Sequence, residues 1–470
     1  MKATGSLVAF AASAAAQQFV LYARGDDSAS QRADPIISPG KLSSHVHDFL
    51  GAGSFKPELS YGALQATDCT TVGAADGSGN SQDNSVYWHP ALYAKKKDGS
   101  GFMKVPTSSH KMYYRKPPAK KYAEPFEFPQ GFRMIAGDPF MRAANTDTST
   151  NSQNITQWRC VEDNNQGPDG GFPTGLGPCS GYTGFMGTLH FPHCWNGKEF
   201  DQSDPTAHMA YPDVNVESGD CPSSHPTALP HIFMENLFDI AGVYDRIDTS
   251  TLTLAQGDDT GYGWHADFFN GWVSGAIPEL FNTCPQGQYG NHDVGVCPSY
   301  KPYSKKGTEC SLKKYYDENV LEPGKNLNGC NPIVDGVARA AQVAIAPLGV
   351  STDSCGAGTP TSDDSNNSSS EQAPSSPSGT AAAPAPSTYA APSTTFATAT
   401  SATTPVYGTP SGGWGSIDWN NVNYAADAGA DKRDVEYVPE SVEATAVATA
   451  YAKRDSHRHN HMRAHKRRNF

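Results

Sequence analysis

The stretch GDDTGYGWHADFFNGW, residues 257–272, places five aromatic residues and four glycines around one histidine and three aspartates. Glycine weakens a regular strand and is used where the backbone turns or approaches a neighbour closely. His265 and Asp267 are two residues apart, so an extended segment points both side chains to the same face. A histidine beside a carboxylate among aromatic rings is typical of a polar-ligand site, and an aromatic-rich structural loop is the alternative.

Short extended runs around this stretch predict the fold class. They are separated by clusters of Gly, Pro, Asn and Asp, while long helical patterns are scarce. We therefore expect an all-β or β-dominated fold, a large disulfide-bonded β-sandwich or jelly-roll-like domain with long loops. The predicted strands are 85–93, 111–114, 131–135, 188–191, 207–211, 231–236 and 251–255, and the predicted helices are 275–282 and 336–346.

The two ends of the 470-residue chain differ in composition from its centre. The N-terminus combines a lysine, a short apolar run and three alanines, which is typical of a secretory signal peptide. Serine, threonine, alanine and proline dominate after residue 355, so that part cannot bury enough apolar surface to fold. The predicted division is a signal peptide at 1–16, a loose lead-in segment at 17–33, a globular domain at 34–355, a Ser/Thr/Pro-rich linker at 356–412, and a disordered tail at 413–470 that ends in a His/Arg-rich segment.

Cysteine and sequon patterns agree with a secreted chain. Ten cysteines lie between Cys69 and Cys355, which predicts up to five disulfides in an oxidising compartment. No CxxC repeat indicates a zinc ribbon. Asn154, Asn366 and Asn367 each begin a sequon for N-glycosylation. We therefore expect an extracellular glycoprotein, either free or associated with a cell wall.

Charge and hydropathy exclude two classes of partner at this stage. The net charge is −13 and no basic stripe with interleaved aromatic residues occurs in the body of the chain, so nucleic acid is not expected. After the signal, no stretch reaches the ~20 apolar residues that a membrane-spanning helix needs.

Histidines recur through the predicted domain and are the main candidates for chemistry. His45 and His47 form a His-x-His pair, which on a strand points both rings to one face, as many metal sites require. They are the candidate ligands of a divalent metal whose identity the sequence leaves open. His193, beside His190, ranks below it as a candidate. The candidate catalytic residues are His265 as acid/base with Asp267 as its orienter, together with His190 and His208.

Other catalytic patterns are weaker or absent. The signatures HExxH, GxSxG and GxxxxGK[ST] do not occur in the sequence. Glycoside hydrolysis needs a pair of carboxylates at a defined separation, which spacing along the chain does not determine. The candidates for such a pair are Asp258, Asp259, Asp267 and Glu235.

Aromatic residues with polar neighbours suggest the kind of ligand. Flat rings with a polar edge suit the faces of sugars through apolar burial. Taken singly, Trp88 and Trp195 are slightly better explained as anchors of the core. The candidate substrate-binding residues are Trp88, Tyr93, Trp195, Trp264 and Trp272.

Several motifs together resemble a known family of secreted fungal proteins that contain a domain of unknown function, sometimes joined to WSC carbohydrate-binding modules. The resemblance implies an extracellular domain associated with fungal walls or biomass, and it implies no established reaction. It extends from residue 34 to about residue 300. The motifs are SHVHDFLG at 44–51, YWHPALY at 87–93, HFPHCWNG at 190–197, CPSSHP at 221–226 and GYGWHADFFNGW at 261–272.

Three hypotheses follow from the sequence. The first is a secreted protein that acts on or binds fungal or plant polysaccharide through a cleft lined by His, Asp and aromatic residues. If it is an enzyme, we expect a polysaccharide lyase or a glycoside hydrolase. The second is a non-catalytic cell-wall or lectin-like protein, and the third is an extracellular metal-binding protein. The expected partner is a polysaccharide or cell-wall glycan, and a divalent metal of unknown identity is the candidate cofactor.

Overall fold

The structure, a computed structural model, describes residues 17–25, 29–144, 155–160, 162, 165–179, 184–217, 219–285, 293–334 and 336–355. The predicted signal peptide, linker and tail lie outside the described residues. The three predicted sequons, at Asn154, Asn366 and Asn367, lie outside them as well.

Strands dominate the described part of the chain. It contains two short α-helices, α1 (Tyr61–Gln65) and α2 (Ala276–Thr283). The strands are β1 (Gln18–Arg24), β2 (Ala29–Ala33), β3 (Leu42–Gly51), β4 (Ser78–Asn80), β5 (Val86–Pro90), β6 (Leu92–Lys95), β7 (Phe102–Lys104), β8 (Thr107–Arg115), β9 (Arg133–Gly137), β10 (Thr156–Cys160), β11 (Asn165–Gln166), β12 (Phe185–His190), β13 (Cys194–Trp195), β14 (Met209–Ala210), β15 (Thr227–Ala228), β16 (His231–Phe238), β17 (Thr253–Leu254), β18 (His265–Phe269) and β19 (Pro302–Lys306).

Two antiparallel sheets form the main layers. The six-stranded sheet has the order β1-β8-β16-β12-β10-β11, and the five-stranded sheet has the order β2-β3-β5-β18-β9. Met112 and Phe185 from the first sheet share one buried cluster with Leu50, Tyr87 and Phe268 from the second. The core therefore lies between the sheets, as in a β-sandwich. The predicted β-dominated fold is confirmed.

All ten cysteines form disulfides, which confirms the five predicted bridges. One of them, Cys69–Cys310, joins positions 241 residues apart in the sequence. In such a loop-rich domain, cross-links add to a hydrophobic core in stabilising the fold. The pairs are Cys69–Cys310, Cys160–Cys179, Cys194–Cys221, Cys284–Cys297 and Cys330–Cys355.

Residues 17–33 differ from the loose lead-in that the sequence predicts. They contain β1, which pairs with β8, and β2, which pairs with β3, so this segment contributes one strand to each main sheet. The side chains of Phe19 and Leu21 are fully buried. The polar appearance of the segment is misleading because Gln31 and Arg32 are also buried and bond to distant residues.

One of the two predicted helices is present and the other is not. The prediction at 275–282 corresponds to α2, whereas 336–346 is not helical. In this second segment the amide of Ala340 donates to the Phe140 carbonyl at 2.7 Å, and the amide of Arg142 donates to the Ala338 carbonyl at 2.9 Å. Val337 and Ile345 stay exposed, so a helix here would have had no apolar face to bury. Among the described residues, no helix is both long enough and apolar enough to cross a membrane.

Candidate metal centre

A tight turn before β18 sets the position of His265. The carboxylate of Asp258 accepts hydrogen bonds from the amide of Thr260 at 2.9 Å and from the amide of Gly263 at 2.7 Å. A Cβ on Gly263 would lie 2.8 Å from that carboxylate, so only glycine fits at this position. The Gly263 carbonyl then lies 2.8 Å from Nδ1 of His265. Gly263 therefore helps to orient the ring of His265.

Strand register brings two more histidines to the same place. His47 on β3 pairs with Pro90 on β5, and on the other side of β5 the pairing of Asp267 with Trp88 sets His265 level with Pro90. Residues level with one another point to the same face of a sheet. The two histidines thus flank the small ring of Pro90, and His45 lies two residues before His47 on the same face.

The three imidazole rings meet on the outer face of the five-stranded sheet. The ring centres of His45 and His47 are 4.3 Å apart, and those of His47 and His265 are 5.8 Å apart. The Nε2 atoms of His45 and His265 are separated by 3.2 Å. One potential ligand atom from each ring lies within 4.8 Å of the others, and all three residues are buried. Tetrahedral zinc sites with Zn–N bonds near 2.0–2.1 Å separate their nitrogen ligands by about 3.3 Å, so this spacing suits one ion.

The other nitrogen of each ring has an oxygen partner. Nδ1 of His47 lies 2.8 Å from the Ala33 carbonyl, and Nδ1 of His265 lies 2.8 Å from the Gly263 carbonyl. A carbonyl only accepts, so both Nδ1 atoms carry the proton and both Nε2 atoms present a lone pair. Nδ1 of His45 is 3.0 Å from the Ser44 hydroxyl. Such outer partners fix the tautomer and orientation of metal-binding histidines in known sites.

Without a metal, one of these nitrogens has no partner. Nε2 of His45 can donate to Nε2 of His265, but Nε2 of His47 is buried and makes no hydrogen bond within the described part of the chain. A buried polar atom without a partner costs about 1–3 kcal/mol. A metal ion between the three rings would satisfy all three lone pairs at once.

Burial keeps these rings neutral. It lowers the pKa of His45 well below the ordinary value, and the neighbouring rings of His47 and His265 lower it further. Burial and the ring of His265 lower the pKa of His47 to about 3, and burial lowers the pKa of His265 to about 4. Neutral imidazole is the form that binds a metal.

A large cavity opens beside the trio. Its volume is about 1160 Å³, somewhat above the range of about 300–1,000 Å³ that small-molecule pockets occupy. His45 and His265 line it, whereas His47 does not and lies behind them. A metal held by the trio would therefore lie at the wall of the cavity.

Two buried carboxyl groups line the same cavity. Asp267 projects from β18 on the same face as His265, and Asp34 lies near enough to interact with it electrostatically. Burial raises the pKa of Asp267 well above the ordinary value, and the nearby Asp34 raises it further. Burial also raises the pKa of Asp34 to about 6, although the amides of Ile37 and Ile36 oppose the shift. These groups can hold or release a proton at the cavity wall.

Residues beyond β18 complete the wall of the cavity. Pro332 and Ile345 line it, as does Arg339, whose guanidinium pairs with Asp138. The disulfide that joins positions 330 and 355 closes this part of the chain into a loop.

Arg142, which precedes β18 in the chain, also lines the cavity, and its guanidinium donates to the carbonyls of positions 139, 141 and 256. Nothing in the sequence marked Arg142 or Asp34 as site residues, because neither belongs to a recognisable pattern.

Two of the predicted catalytic histidines lie elsewhere. His190 is at the end of β12 in the six-stranded sheet, where its Nδ1 is 3.3 Å from Nε2 of His231. His208 is buried, and its Nε2 lies 2.8 Å from the Arg133 carbonyl. Neither lines the cavity. The predicted orienting role of Asp267 toward His265 is taken instead by the carbonyl of Gly263.

Most of the predicted aromatic platform is inside the protein. Trp88, Tyr93 and Trp264 are 0% exposed and Trp272 is 3% exposed, so their faces contact the core. Trp195 is half-buried and lies on a separate groove. Tyr262, which the opening stretch contains but the predicted set does not, lines the cavity.

The predicted carboxylate pairs for glycoside hydrolysis are not assembled. Asp258 is buried and shapes the turn before β18. Glu235 lies in the six-stranded sheet, where it accepts from the Tyr113 hydroxyl at 2.9 Å and pairs with Lys111 at 3.2 Å. Of the candidate carboxylates, only Asp267 lines the cavity.

Two packed sheets, five disulfides and a buried histidine trio define a disulfide-bonded β-domain with a candidate metal centre. Over residues 34–272, a little over half of its length, the chain matches the model of the family described as "Domain of unknown function (DUF1996)". The chain belongs to this family, which confirms the resemblance to a domain of unknown function. No curated protein and no solved structure matches it. The matched range contains all three histidines, but the cavity wall at 332–345 lies beyond it.

Proposed function

We propose that this protein is an extracellular metal-dependent enzyme that acts on polysaccharide, with the metal held by His45, His47 and His265. The observation that carries the proposal is the buried Nε2 of His47, which has no hydrogen-bond partner among the described residues and lies near two other imidazoles whose Nδ1 atoms have oxygen partners. Five disulfides support an extracellular location, because such bonds persist in oxidising compartments.

The residues around the centre suit acid and base catalysis. A divalent metal bound by three neutral imidazoles supplies a Lewis acid and an activated water. Asp267 and Asp34 lie on the cavity wall and would exchange protons with the substrate. His265 would then act as a ligand rather than as the acid/base. This arrangement is compatible with both predicted reactions, hydrolysis and elimination.

The volume and lining of the cavity are evidence for a large, polar substrate. Its lining combines carboxyl groups, the Arg142 guanidinium and the Tyr262 ring, which together offer hydrogen bonds and an apolar face. A sugar chain presents hydroxyl groups at its edges and apolar patches on its faces. The non-catalytic lectin-like alternative receives less support, because four of the five predicted platform rings are buried.

The first test is the metal content of the full-length, untagged protein. We expect about one transition-metal ion per chain by elemental mass spectrometry, lost in a His45→Ala variant. The tail offers competing ligands, so a variant with its four histidines at 457, 459, 461 and 465 replaced by alanine serves as the control and should keep the ion. The proposal fails if the wild-type protein holds no stoichiometric metal after dialysis against zinc, copper(II) or manganese(II).

Ser44 offers a milder test of the same centre, because its hydroxyl is the one side-chain partner among the three Nδ1 contacts described above. We expect Ser44→Ala to weaken metal affinity by about 10–100-fold, the usual cost of losing an outer partner of a ligand. Competition with a chromophoric chelator measures the effect. Ser108→Ala removes a hydroxyl on the other sheet and should leave affinity unchanged. Equal affinities in both variants would show that Ser44 does not orient a ligand.

A further inference from the structure

A second concave surface lies outside the metal centre. It is a groove of about 790 Å³ between the segment 120–130 and β13. We call it the Trp195 groove, and its principal lining residues are Lys121, Tyr122, Glu124, Gln130, Trp195 and Gly197.

Two of the aromatic rings that line the groove, those of Trp195 and Tyr122, are held by hydrogen bonds at their polar edges. Nε1 of Trp195 donates to the Lys198 carbonyl at 2.8 Å, and its strand is fixed by the disulfide at position 194. The hydroxyl of Tyr122 donates to the Pro117 carbonyl at 2.9 Å and accepts from the Ala119 amide at 3.2 Å. With these edges occupied, a ligand can contact the rings only through their faces, and Nζ of Lys116 lies over the Tyr122 ring, 5.1 Å from its centre. Rigid rings lose little conformational entropy on binding.

Polar side chains surround the rings. Lys121, Glu124 and Gln130 are exposed, and their side chains make no hydrogen bond or ion pair with another described residue. They supply donors and acceptors next to flat apolar surfaces. This combination matches a sugar chain, whose pyranose faces are apolar and whose edges carry hydroxyl groups. A purely apolar ligand would leave these polar groups without partners.

The groove lies next to the cavity of the metal centre. Trp195 on β13 pairs with Met209 on β14, and Met209 lines the large cavity. Paired residues on neighbouring strands have Cα atoms about 4.5–5.5 Å apart. A chain lying across Trp195 therefore passes close to the cavity wall.

We propose that the Trp195 groove binds a polysaccharide chain and holds it beside the cavity. This inference rests on the proposed function for its substrate class, but it concerns a different surface and different residues. It makes Trp195 and Tyr122 determinants of attachment to long polymers rather than catalytic residues.

The test measures retention of the full-length protein on insoluble polysaccharides. Microcrystalline cellulose, chitin and insoluble β-1,3-glucan serve as the three probes. We expect the wild-type protein to bind at least one of them, and Trp195→Ala and Tyr122→Ala each to weaken that binding about tenfold or more. Trp195→Phe keeps a ring face and should bind more tightly than Trp195→Ala. Tyr315→Ala removes an exposed ring that does not line the groove and should bind like the wild type.

The outcomes separate this inference from the metal centre. We expect Trp195→Ala to keep its metal and lose retention, and His45→Ala to lose its metal and keep retention. If the protein lacks metal but is retained through Trp195, the proposed enzyme fails and the groove stands. Absence of wild-type binding to all three probes, or equal binding by Trp195→Ala, overturns the inference.

Discussion

Replacing His47 with alanine should remove the bound metal and abolish activity, although His47 does not line the cavity. Its ring is 1% exposed and lies behind His45 and His265. A residue that does not line the cavity makes no contact with a substrate there, so loss of turnover in a variant that stays folded would indicate loss of the metal. The variant therefore separates a metal-ligand role from the acid/base role that the sequence suggested for His265.

Loss of the metal from the His47→Ala variant should also lower the thermal stability of the protein. A ligand that binds only the folded state stabilises it by RT ln(1 + [L]/Kd), which is about 4.1 kcal/mol at a concentration 1,000 times Kd. We expect metal to raise the melting temperature of the wild-type protein and a chelator to reverse the increase. The His47→Ala protein should show neither shift, since it has lost one of three ligands.

His190→Ala is the matched control. It removes a largely buried imidazole from the other sheet, 3.3 Å from another histidine, without touching the trio. It should retain both the metal and the metal-dependent shift. If His190→Ala loses the metal and His47→Ala keeps it, the centre has been assigned to the wrong histidines.

The histidine trio shows how far the sequence could predict the site. The alternation of side chains along a strand placed His45 with His47, and His265 with Asp267. This alternation could not show that the two pairs lie close together, because His47 and His265 are 218 positions apart. They meet only because β3 and β18 both pair with β5 in a particular register. Register between strands distant in sequence is decided by packing of the whole sheet.

Burial explains the less successful expectations. Period-two patterns indicate which residues share a face but not whether water or another layer covers that face. From the sequence, Trp88 was therefore a plausible platform for a sugar, whereas in the structure it is buried in a hydrophobic cluster and packs against Phe49.

The polar segment 17–33 was expected to be loose, but the structure buries most of its described residues. Its Arg32 is buried because Glu318, far along the chain, pairs with it at 2.8 Å.

The opposite face of β3 carries a second buried polar group. Asp48 points into the core between the sheets, where Nζ of Lys104 lies 2.8 Å from its carboxylate. The side chains are 0% and 7% exposed, respectively. Burial alone would raise the pKa of Asp48, but the charge of Lys104 and hydrogen bonds outweigh it and lower the pKa to about 2. The strand that supplies His45 and His47 is thus anchored on its other face by an ion pair.

Replacing Lys104 with methionine should destabilise the protein by about 3–5 kcal/mol, because it leaves the carboxylate of Asp48 buried without a counter-charge. Urea unfolding at neutral pH measures the loss. Lys305→Met is the control, since its pair with Asp68 is exposed to solvent, which screens the attraction, and its loss should leave stability nearly unchanged. Adding Asp48→Leu to Lys104→Met should recover most of the stability, because two apolar groups need no charge partner. If the double variant is as unstable as Lys104→Met, the loss comes from packing of the lysine stem rather than from the unpaired charge.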